Sequence, residues 1–284
     1  QPASPEIFNN GLAFHETQSE FTHNCWVSDD GNTLFTTDEV SGGYIGAYDV
    51  SDLSNIQELD YIQSSPENGN VIPHNTHVLG NFLVTSYYRD GVVVHDATYP
   101  DHLIEVGHYD NYAGSGNGFD GSWGTYPFLP SGLILSSEIN SSSSENAQLL
   151  VLLPNYNQAC YISGIVSNYI TNQPILASVE ILNSDQGANN TNLSGEYFDY
   201  TLDPNTYEVV FSANDYISDT LSVEMQNGEM QTINVQLISN SAVFGCTDIS
   251  ACNYNEIADV NNGSCLYIDD VCETCEDGII VDND

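Results

Sequence analysis

The C-terminal end of the chain is rich in oxygen-bearing side chains that could bind a metal cation. Asp259, Asn261 and Asn262 come just before Gly263. Ca²⁺ takes about six to eight oxygen ligands from carboxylates, amides and backbone carbonyls, and glycine permits the tight turn around the ion. The pattern predicts Ca²⁺ as a cofactor, and the alternative is a set of solvated surface groups. The predicted ligands are Asp259, Asn261, Asn262, Asp269, Asp270, Asp277, Asp282 and Asp284.

Cysteines are concentrated in the same region. Cys272 and Cys275 have the CxxC spacing of some zinc and redox sites. Neither a second CxxC nor a histidine follows, and no basic residue is near to lower the pKa of a thiol. We therefore predict two disulfides and one remaining cysteine here, with the pairing left open. The candidates in this region are Cys246, Cys252, Cys265, Cys272 and Cys275.

Outside this region the chain has two further cysteines, Cys25 and Cys160. They could form a bridge with each other. The alternative is a buried free thiol at either position, where cysteine behaves as a small apolar side chain.

Two His-Asn pairs raise a second metal hypothesis. His23-Asn24 and His74-Asn75 open successive copies of an internal repeat, and His77 follows the second pair. Equivalent positions in successive repeats point the same way, so His23 and His74 could converge on a common axis. As neutral imidazoles they would then bind zinc or a similar ion. The alternative is that the pairs satisfy backbone groups between repeats.

The elements that must position these residues are short strands. A repeat of about 50 residues with four strand-like segments is typical of a β-propeller blade. Two copies begin at His23 and His74, and a third, which lacks the His-Asn pair, begins near Trp123. We assign residues 1–154 to about three blades. A closed ring needs about four to eight blades, so further blades are expected before Gln1.

The rest of the chain is also predicted to be all-β. Residues 158–239 contain short alternating segments separated by turn signals, which predicts a β-sandwich. Residues 243–284 contain few candidates for a core. Such a short polar segment needs disulfides or metal to fold.

Charge narrows the range of partners. The chain has 40 acidic residues, a single basic residue, Arg89, and a formal net charge of −39. This surface repels nucleic acid and anionic membranes, and it suits cations, high salt or a cationic partner. No apolar stretch is long enough to span a bilayer, so direct membrane insertion is not expected. Arg89 is expected to pair with Asp90 or Asp96.

Motifs for catalysis are missing from the sequence. There is no GxSxG elbow, HExxH, P-loop or GxGxxG. Adjacent carboxylates such as Asp29 and Asp30 are unavoidable at this composition. The chain is therefore not expected to be an enzyme.

Several stretches resemble known families. The segments THNCWVSDDGNTLFTTDE, YDVSDLSNIQELD, VIPHNTHVL and SWGTYPFLPSGLILSSE resemble the LVIVD-repeat family, which includes secreted Bacteroidota proteins of the choice-of-anchor B type. ISGIVSNYITNQPILASVEI and the segments after it resemble the carboxypeptidase regulatory-like domain, a transthyretin-like sandwich without catalytic residues. GCTDISACNYNEIADVNNGSC resembles a Cys-rich repeat of secreted Bacteroidota proteins, and DDVCETCEDGIIVDND resembles thrombospondin type 3 calcium repeats.

These resemblances imply export, with type IX secretion as the expected route, to the outside of the cell or its outer surface. The expected function is a non-catalytic structural, adhesive or filament component stabilised by calcium. The expected partners are other protein subunits, including copies of itself, or surface glycans. Two alternatives are a calcium-dependent carbohydrate- or protein-binding module and a fragment of a secreted propeller hydrolase.

Overall fold

The computed structural model describes residues 14–64, 70–110, 112, 118–139, 147–269 and 272–282. Every regular element in these ranges is a β-strand, which confirms the all-β fold class. Among the residues described, none forms a helix long and apolar enough to cross a membrane. Contacts divide the chain into two compact units, residues 1–159 and 160–284.

The first unit contains three antiparallel sheets among its described residues, each with its strands in sequence order. Two sheets have four strands and the third has three, which is the meander expected of blades. The strands of the first sheet are β1 Thr22–Val27, β2 Thr33–Asp38, β3 Ile45–Asp49 and β4 Gln57–Ile62. Those of the second are β5 Thr76–Leu79, β6 Phe82–Ser86, β7 Val92–Asp96 and β8 Ile104–Tyr109. Those of the third are β9 Gly121–Tyr126, β10 Ile134–Ile139 and β11 Leu149–Leu152.

The middle strands of the first two sheets are almost wholly buried. β7 is buried at every position, and its Val92, Val93 and Val94 suit a strand that packs on both faces. A tight turn precedes this strand at Gly91, whose φ is +77°. A Cβ at Gly91 would lie 2.1 Å from the carbonyl oxygen of Tyr109, so the turn requires glycine.

The single cation of the chain lies in this unit. Arg89 Nη2 forms an ion pair with Asp120 Oδ2 at 2.6 Å, and the guanidinium lies 5.1 Å from the ring centroid of Tyr112. The ion pair that the structure shows is thus with Asp120, which lies 31 residues away, and not with the sequence neighbours Asp90 or Asp96. The pairing depends on the approach of the second and third sheets, which local sequence does not reveal.

The second unit begins with a β-sandwich. One sheet has the order β15-β12-β20-β17 with β19 also paired to β12, and the other has the order β14-β13-β16-β18. Apolar side chains from both sheets, such as Ile162, Val179 and Phe211, form one buried cluster. The strands are β12 Cys160–Asn168, β13 Ser178–Ile181, β14 Asn189–Asn190, β15 Glu196–Thr201, β16 Asn205–Ser212, β17 Tyr216–Ile217, β18 Asp219–Met225, β19 Met230–Thr232 and β20 Val235–Ser239.

The tail of the second unit has little apolar core. Two short parallel strands, β21 Phe244–Gly245 and β22 Val260–Asn261, precede an antiparallel hairpin of β23 Glu273–Glu276 and β24 Ile279–Asp282. Its buried apolar residues, within the part described, are Cys246, Ala251 and Val260. Disulfides between Cys246 and Cys265 and between Cys252 and Cys275 cross-link this segment.

One carboxylate lies inside the sandwich. Asp199 on β15 is fully buried. Its Oδ1 accepts a hydrogen bond from the Tyr200 N–H at 2.8 Å, whereas its Oδ2 has no hydrogen-bond partner among the described residues. Burial raises the pKa of Asp199 to about 6, against the lowering effect of its hydrogen bond with Tyr200. The folded protein therefore holds a proton on Asp199 that the unfolded chain releases at lower pH.

We predict that Asp199→Asn changes how the stability of the protein depends on pH. The ordinary pKa of 3.8 lies below the folded value. The favourable contribution of Asp199 is therefore present at low pH and is lost as the pH rises through about 6. Relative to wild type, the free energy of unfolding of the variant should rise by up to about 3 kcal/mol between pH 4 and 7.

Urea denaturation at a series of pH values measures this difference. Asp203→Asn, which removes an exposed carboxylate from the same unit, is the control. Curves for wild type and Asp199→Asn that run parallel from pH 4 to 7 would show that the proton is not held in the folded state.

Candidate metal centre

The first strands of the three sheets in the first unit meet side by side. β1 contacts β5, and β5 contacts β9. Three side chains with metal-binding atoms lie where these strands meet. His23 belongs to β1, Glu39 directly follows β2, and His74 lies two residues before β5. We call His23, Glu39 and His74 the axial triad.

A bulge in β1 sets the direction of His23. The partners of Thr22 and Asn24 in β2 are Asp38 and Thr37, so His23 is the extra residue between two paired ones. A bulge re-aims a side chain and is common beside functional sites. Here the imidazole ring of His23 stacks on that of His74, with centroids 4.5 Å apart and planes at 27°.

Glu39 joins the two histidines. His23 Nδ1 lies 2.9 Å from Glu39 Oε2, and His74 Nε2 lies 3.7 Å from Glu39 Oε1. The Tyr88 hydroxyl donates to Glu39 Oε1 at 2.5 Å. One ligand atom from each member of the axial triad lies within 4.8 Å of the others. In the described ranges this is the one group of three histidine, cysteine or acidic side chains with such spacing.

His74 is fixed by three hydrogen bonds. Its backbone N–H donates to the Ser86 carbonyl at 2.8 Å, and its own carbonyl accepts from Thr37 Oγ1 at 2.6 Å. Its Nδ1 is hydrogen-bonded to the backbone carbonyl of Trp123 in β9. The residue is 3% exposed, and burial lowers the pKa of its imidazole although Trp123 and Glu39 oppose that effect. The neutral ring therefore predominates at neutral pH.

Aromatic rings surround the axial triad. Tyr88 and Trp123 lie 5.1 and 5.2 Å from the His74 ring. Trp26 packs on His77 with ring centroids 4.9 Å apart, so the third histidine singled out in the sequence contacts an aromatic ring. His77 Nδ1 also lies 3.3 Å from the Thr125 hydroxyl. His77 is thus accounted for by packing rather than by the axial triad.

The His-Asn pairs also satisfy backbone groups, as the alternative interpretation expected. Asn24 Oδ1 accepts the N–H of Thr76 at 3.0 Å and so joins the first sheet to the second. Thr76 is fully buried. The two interpretations are compatible, because asparagine bridges the sheets while histidine faces the carboxylate.

The residues predicted to bind calcium are engaged in local hydrogen bonds. Asp259 Oδ2 accepts the Val243 N–H at 2.9 Å. Asn261 and Asn262 each accept a backbone N–H two residues ahead, from Gly263 and Ser264. Within the described part of the tail, no three carboxylates come together as the axial triad does. Calcium binding stays a prediction.

The remaining predicted calcium ligands are spread along the end of the tail. The Asp269 N–H donates to Glu273 Oε2 at 3.0 Å. Asp277 occupies the turn of the last hairpin with a φ of +51°, and Asp282 ends β24. Asp270 and Asp284 lie outside the described residues.

Four of the five cysteines of the tail form disulfides. The two disulfides of the tail leave Cys272 as the cysteine outside both bridges, and the CxxC spacing with Cys275 does not reflect a bond between these two. Cys25 is an exposed free thiol and Cys160 is a buried one. The Cys25–Cys160 bridge considered from the sequence is not formed, and the buried-thiol alternative describes Cys160.

Sequence reasoning did not include Glu39, Tyr88 or Trp123 in the site. A signal was nevertheless present. Residues 32–39 (NTLFTTDE) and 81–88 (NFLVTSYY) align without gaps, so Glu39 and Tyr88 are equivalent positions of two repeats. Equivalent positions in adjacent sheets face the same axis, which is why their side chains touch. Trp123 contributes a backbone carbonyl, and no residue type predicts that.

No protein-family model matches the chain, and no curated protein matches it. The resemblances to the LVIVD-repeat, carboxypeptidase regulatory-like and thrombospondin type 3 families therefore stay predictions.

Solved structures similar to this chain include three bacterial proteins. The extracellular domain of a one-component system from B. thetaiotaomicron is 9% identical, with a TM-score of 0.31 over 76% of this chain and 31% of that chain. A periplasmic gluconolactonase of Pseudomonas aeruginosa is 13% identical, with a TM-score of 0.30 over 77% of this chain and 57% of that chain. The pilus 2b backbone protein of group B streptococcus is 11% identical, with a TM-score of 0.25 over 79% of this chain and 83% of that chain.

The chain spans about a third of the first of these structures, since it covers 31% of its length. TM-scores of 0.25 to 0.31 carry no argument about function. The site must therefore be interpreted from its own geometry.

We predict that Asn24→Ala lowers the free energy of unfolding of the protein by about 1–3 kcal/mol, because it leaves the buried N–H of Thr76 without its acceptor. Asn55→Ala removes an exposed asparagine from the same unit and should change stability by less than about 0.5 kcal/mol. Urea denaturation of both variants measures the difference. Equal midpoints for the two variants would mean that the Asn24–Thr76 hydrogen bond does not stabilise the contact between sheets.

Proposed function

We propose that this protein is an extracellular, non-catalytic structural or adhesive component that assembles with copies of itself by strand pairing. The observation that carries this proposal is the outer edge of the third sheet. In the described part of that sheet, β11 is paired on one side, to β10, and its other side is an edge.

The β11 edge is apolar and exposed. Leu149 is 69% exposed, Val151 is 59% exposed, and Leu153, just after the strand, is 82% exposed. A cleft of about 440 Å³ beside the strand is lined by Val92, Val151 and other residues of the first unit. An exposed apolar edge offers unpaired backbone groups and an apolar surface to an incoming strand.

The outer edges of the other two sheets are different. β4 carries Glu58 and Asp60, and β8 carries Glu105. Charged side chains on an edge strand oppose pairing with another chain. β11, with the sequence Leu-Leu-Val-Leu, has no such protection. The contrast within one unit favours β11 as the surface where assembly occurs.

An extracellular location is supported by the disulfides of the chain, such as Cys246–Cys265, because disulfides persist in oxidising compartments and are rare in the cytosol.

Salt decides whether two copies can approach each other. A net charge of −39 keeps separate molecules apart at low ionic strength. Salt at about 0.15 M reduces the Debye length to about 8 Å, so the edges of two copies can approach each other in saline surroundings.

We predict that Val151→Lys reduces self-association of the protein. Size-exclusion chromatography with light scattering, at increasing protein concentration in high NaCl, should show dimers or larger species for wild type and monomers for the variant. The reason is that a lysine on the edge strand opposes pairing with a second strand.

Leu193→Lys is the matched control, because Leu193 is 88% exposed but lies in the second unit, between β14 and β15. This variant should associate as wild type does. A wild-type protein that stays monomeric at every concentration, or a Val151→Lys variant that associates equally well, would contradict the proposal.

A further inference from the structure

We propose that the axial triad binds one divalent transition-metal ion of the zinc class. The proposal is independent of assembly at β11, since no residue of the axial triad belongs to the third sheet. The site combines His23 and His74, which the sequence repeat indicates, with the carboxylate of Glu39, which no sequence motif indicates.

The hydrogen bond to Trp123 fixes which nitrogen of His74 is available. A backbone carbonyl can only accept, so Nδ1 must carry the proton. In the neutral ring Nε2 is then left with a lone pair, and it lies 3.7 Å from Glu39 Oε1. That distance exceeds a hydrogen bond. A lone pair therefore faces a carboxylate oxygen, and a cation between them would be attracted by both.

The hydrogen bonds around the axial triad have the form that metal sites use. Metal-binding histidines usually donate their other ring N–H to a carbonyl or carboxylate, which orients the ring. His74 does so through Trp123. Ligating carboxylates are themselves hydrogen-bonded, and Glu39 accepts from the Tyr88 hydroxyl. The supporting contacts are thus present for both of the less exposed members of the axial triad.

The ligand types select the class of ion. Two imidazoles and one carboxylate form a ligand set found in zinc sites, which combine nitrogen and oxygen ligands at about 2.0–2.2 Å. Calcium prefers a larger set made of oxygen atoms alone. Imidazole nitrogen suits zinc, copper, nickel and iron. The axial triad should therefore bind Zn²⁺ far more tightly than Ca²⁺.

The spacing requires a small movement of one side chain. Ligand atoms around a tetrahedral zinc ion lie about 3.4 Å apart, whereas those of the axial triad lie within 4.8 Å of one another. The His23 side chain is 35% exposed and the Glu39 side chain 17%. His23 can therefore close on the ion, while buried His74 stays fixed.

The ion would connect separate sheets. His23 and Glu39 come from the first sheet, His74 leads into the second, and the Trp123 carbonyl that orients His74 belongs to the third. An ion that binds only the folded protein raises its stability with ion concentration. Zinc should thus stabilise the first unit against thermal unfolding.

The test uses the full chain after treatment with EDTA and dialysis. Zn²⁺ affinity is measured by competition with a chromophoric chelator, Co²⁺ is added to record the absorption bands of a protein-bound ion, and thermal melts are recorded with Zn²⁺ or Ca²⁺. The variants are His23→Gln and Glu39→Gln. The control is His102→Gln, which removes a histidine whose side chain is 42% exposed beside Asp101.

The expected result is one Zn²⁺ per chain and a melting temperature that rises with Zn²⁺. His23→Gln and Glu39→Gln should weaken Zn²⁺ binding by at least about tenfold. Removing a residue that only hydrogen-bonds to a ligand already weakens metal binding by about 10- to 100-fold, and these variants remove a ligand itself. His102→Gln should bind as wild type does. His23 is partly exposed, so its variant should keep the circular dichroism spectrum of the wild type.

Three results would overturn the proposal. The first is no Zn²⁺ binding by folded wild-type protein. The second is equal Zn²⁺ affinity in wild type and both variants, which would assign the ion to other carboxylates on the acidic surface. A melting temperature that rises with Ca²⁺ and not with Zn²⁺ would also reject this site and would direct attention to the acidic tail.

Discussion

The scarcity of cations is the constraint on which the rest of this structure depends. With 40 carboxylates and a single arginine, the protein cannot neutralise its acidic residues with ion pairs. A carboxylate removed from water must be hydrogen-bonded, paired or protonated. Each buried carboxylate in the fold therefore needs a local solution, and the solutions differ from place to place.

Two of the four buried carboxylates among the described residues use hydrogen bonds from their own surroundings. Asp38 accepts from the Thr17 hydroxyl and the Ser19 N–H. Asp96 accepts from the Thr98 and Ala159 backbone N–H groups and thereby holds the end of the first unit against the second sheet. Asp120 takes the single arginine, and Asp199 keeps its proton. Glu39 is partly buried, and it lies beside two histidines and accepts a hydrogen bond from the Tyr88 hydroxyl.

Much of the fold could be predicted because it depends on local pattern. The repeat of about 50 residues predicted the successive meanders, and alternating apolar residues predicted the sandwich. The convergence of His23 and His74 also followed, since it needs only that equivalent positions face one axis. The cysteine pairing did not follow, because it depends on how the tail loops cross.

The rest of the site could not be predicted because it depends on contacts between sheets. The bulge that aims His23 is set by the register of β1 on β2. The tautomer of His74 is set by a carbonyl 49 residues away, and Arg89 pairs with Asp120, which is 31 residues away. Residue types in the sequence do not indicate which of these distant groups will meet.

The position of Arg89 has a consequence for cleavage of the chain by trypsin-like proteases. Trypsin-like proteases cut after lysine or arginine, and this chain offers them one such position. A protease of this class must bind the guanidinium of Arg89 in its specificity pocket. In the folded protein that guanidinium pairs with Asp120 and lies over the ring of Tyr112. The single cleavage site for these proteases therefore has an arginine side chain that is bound within the protein.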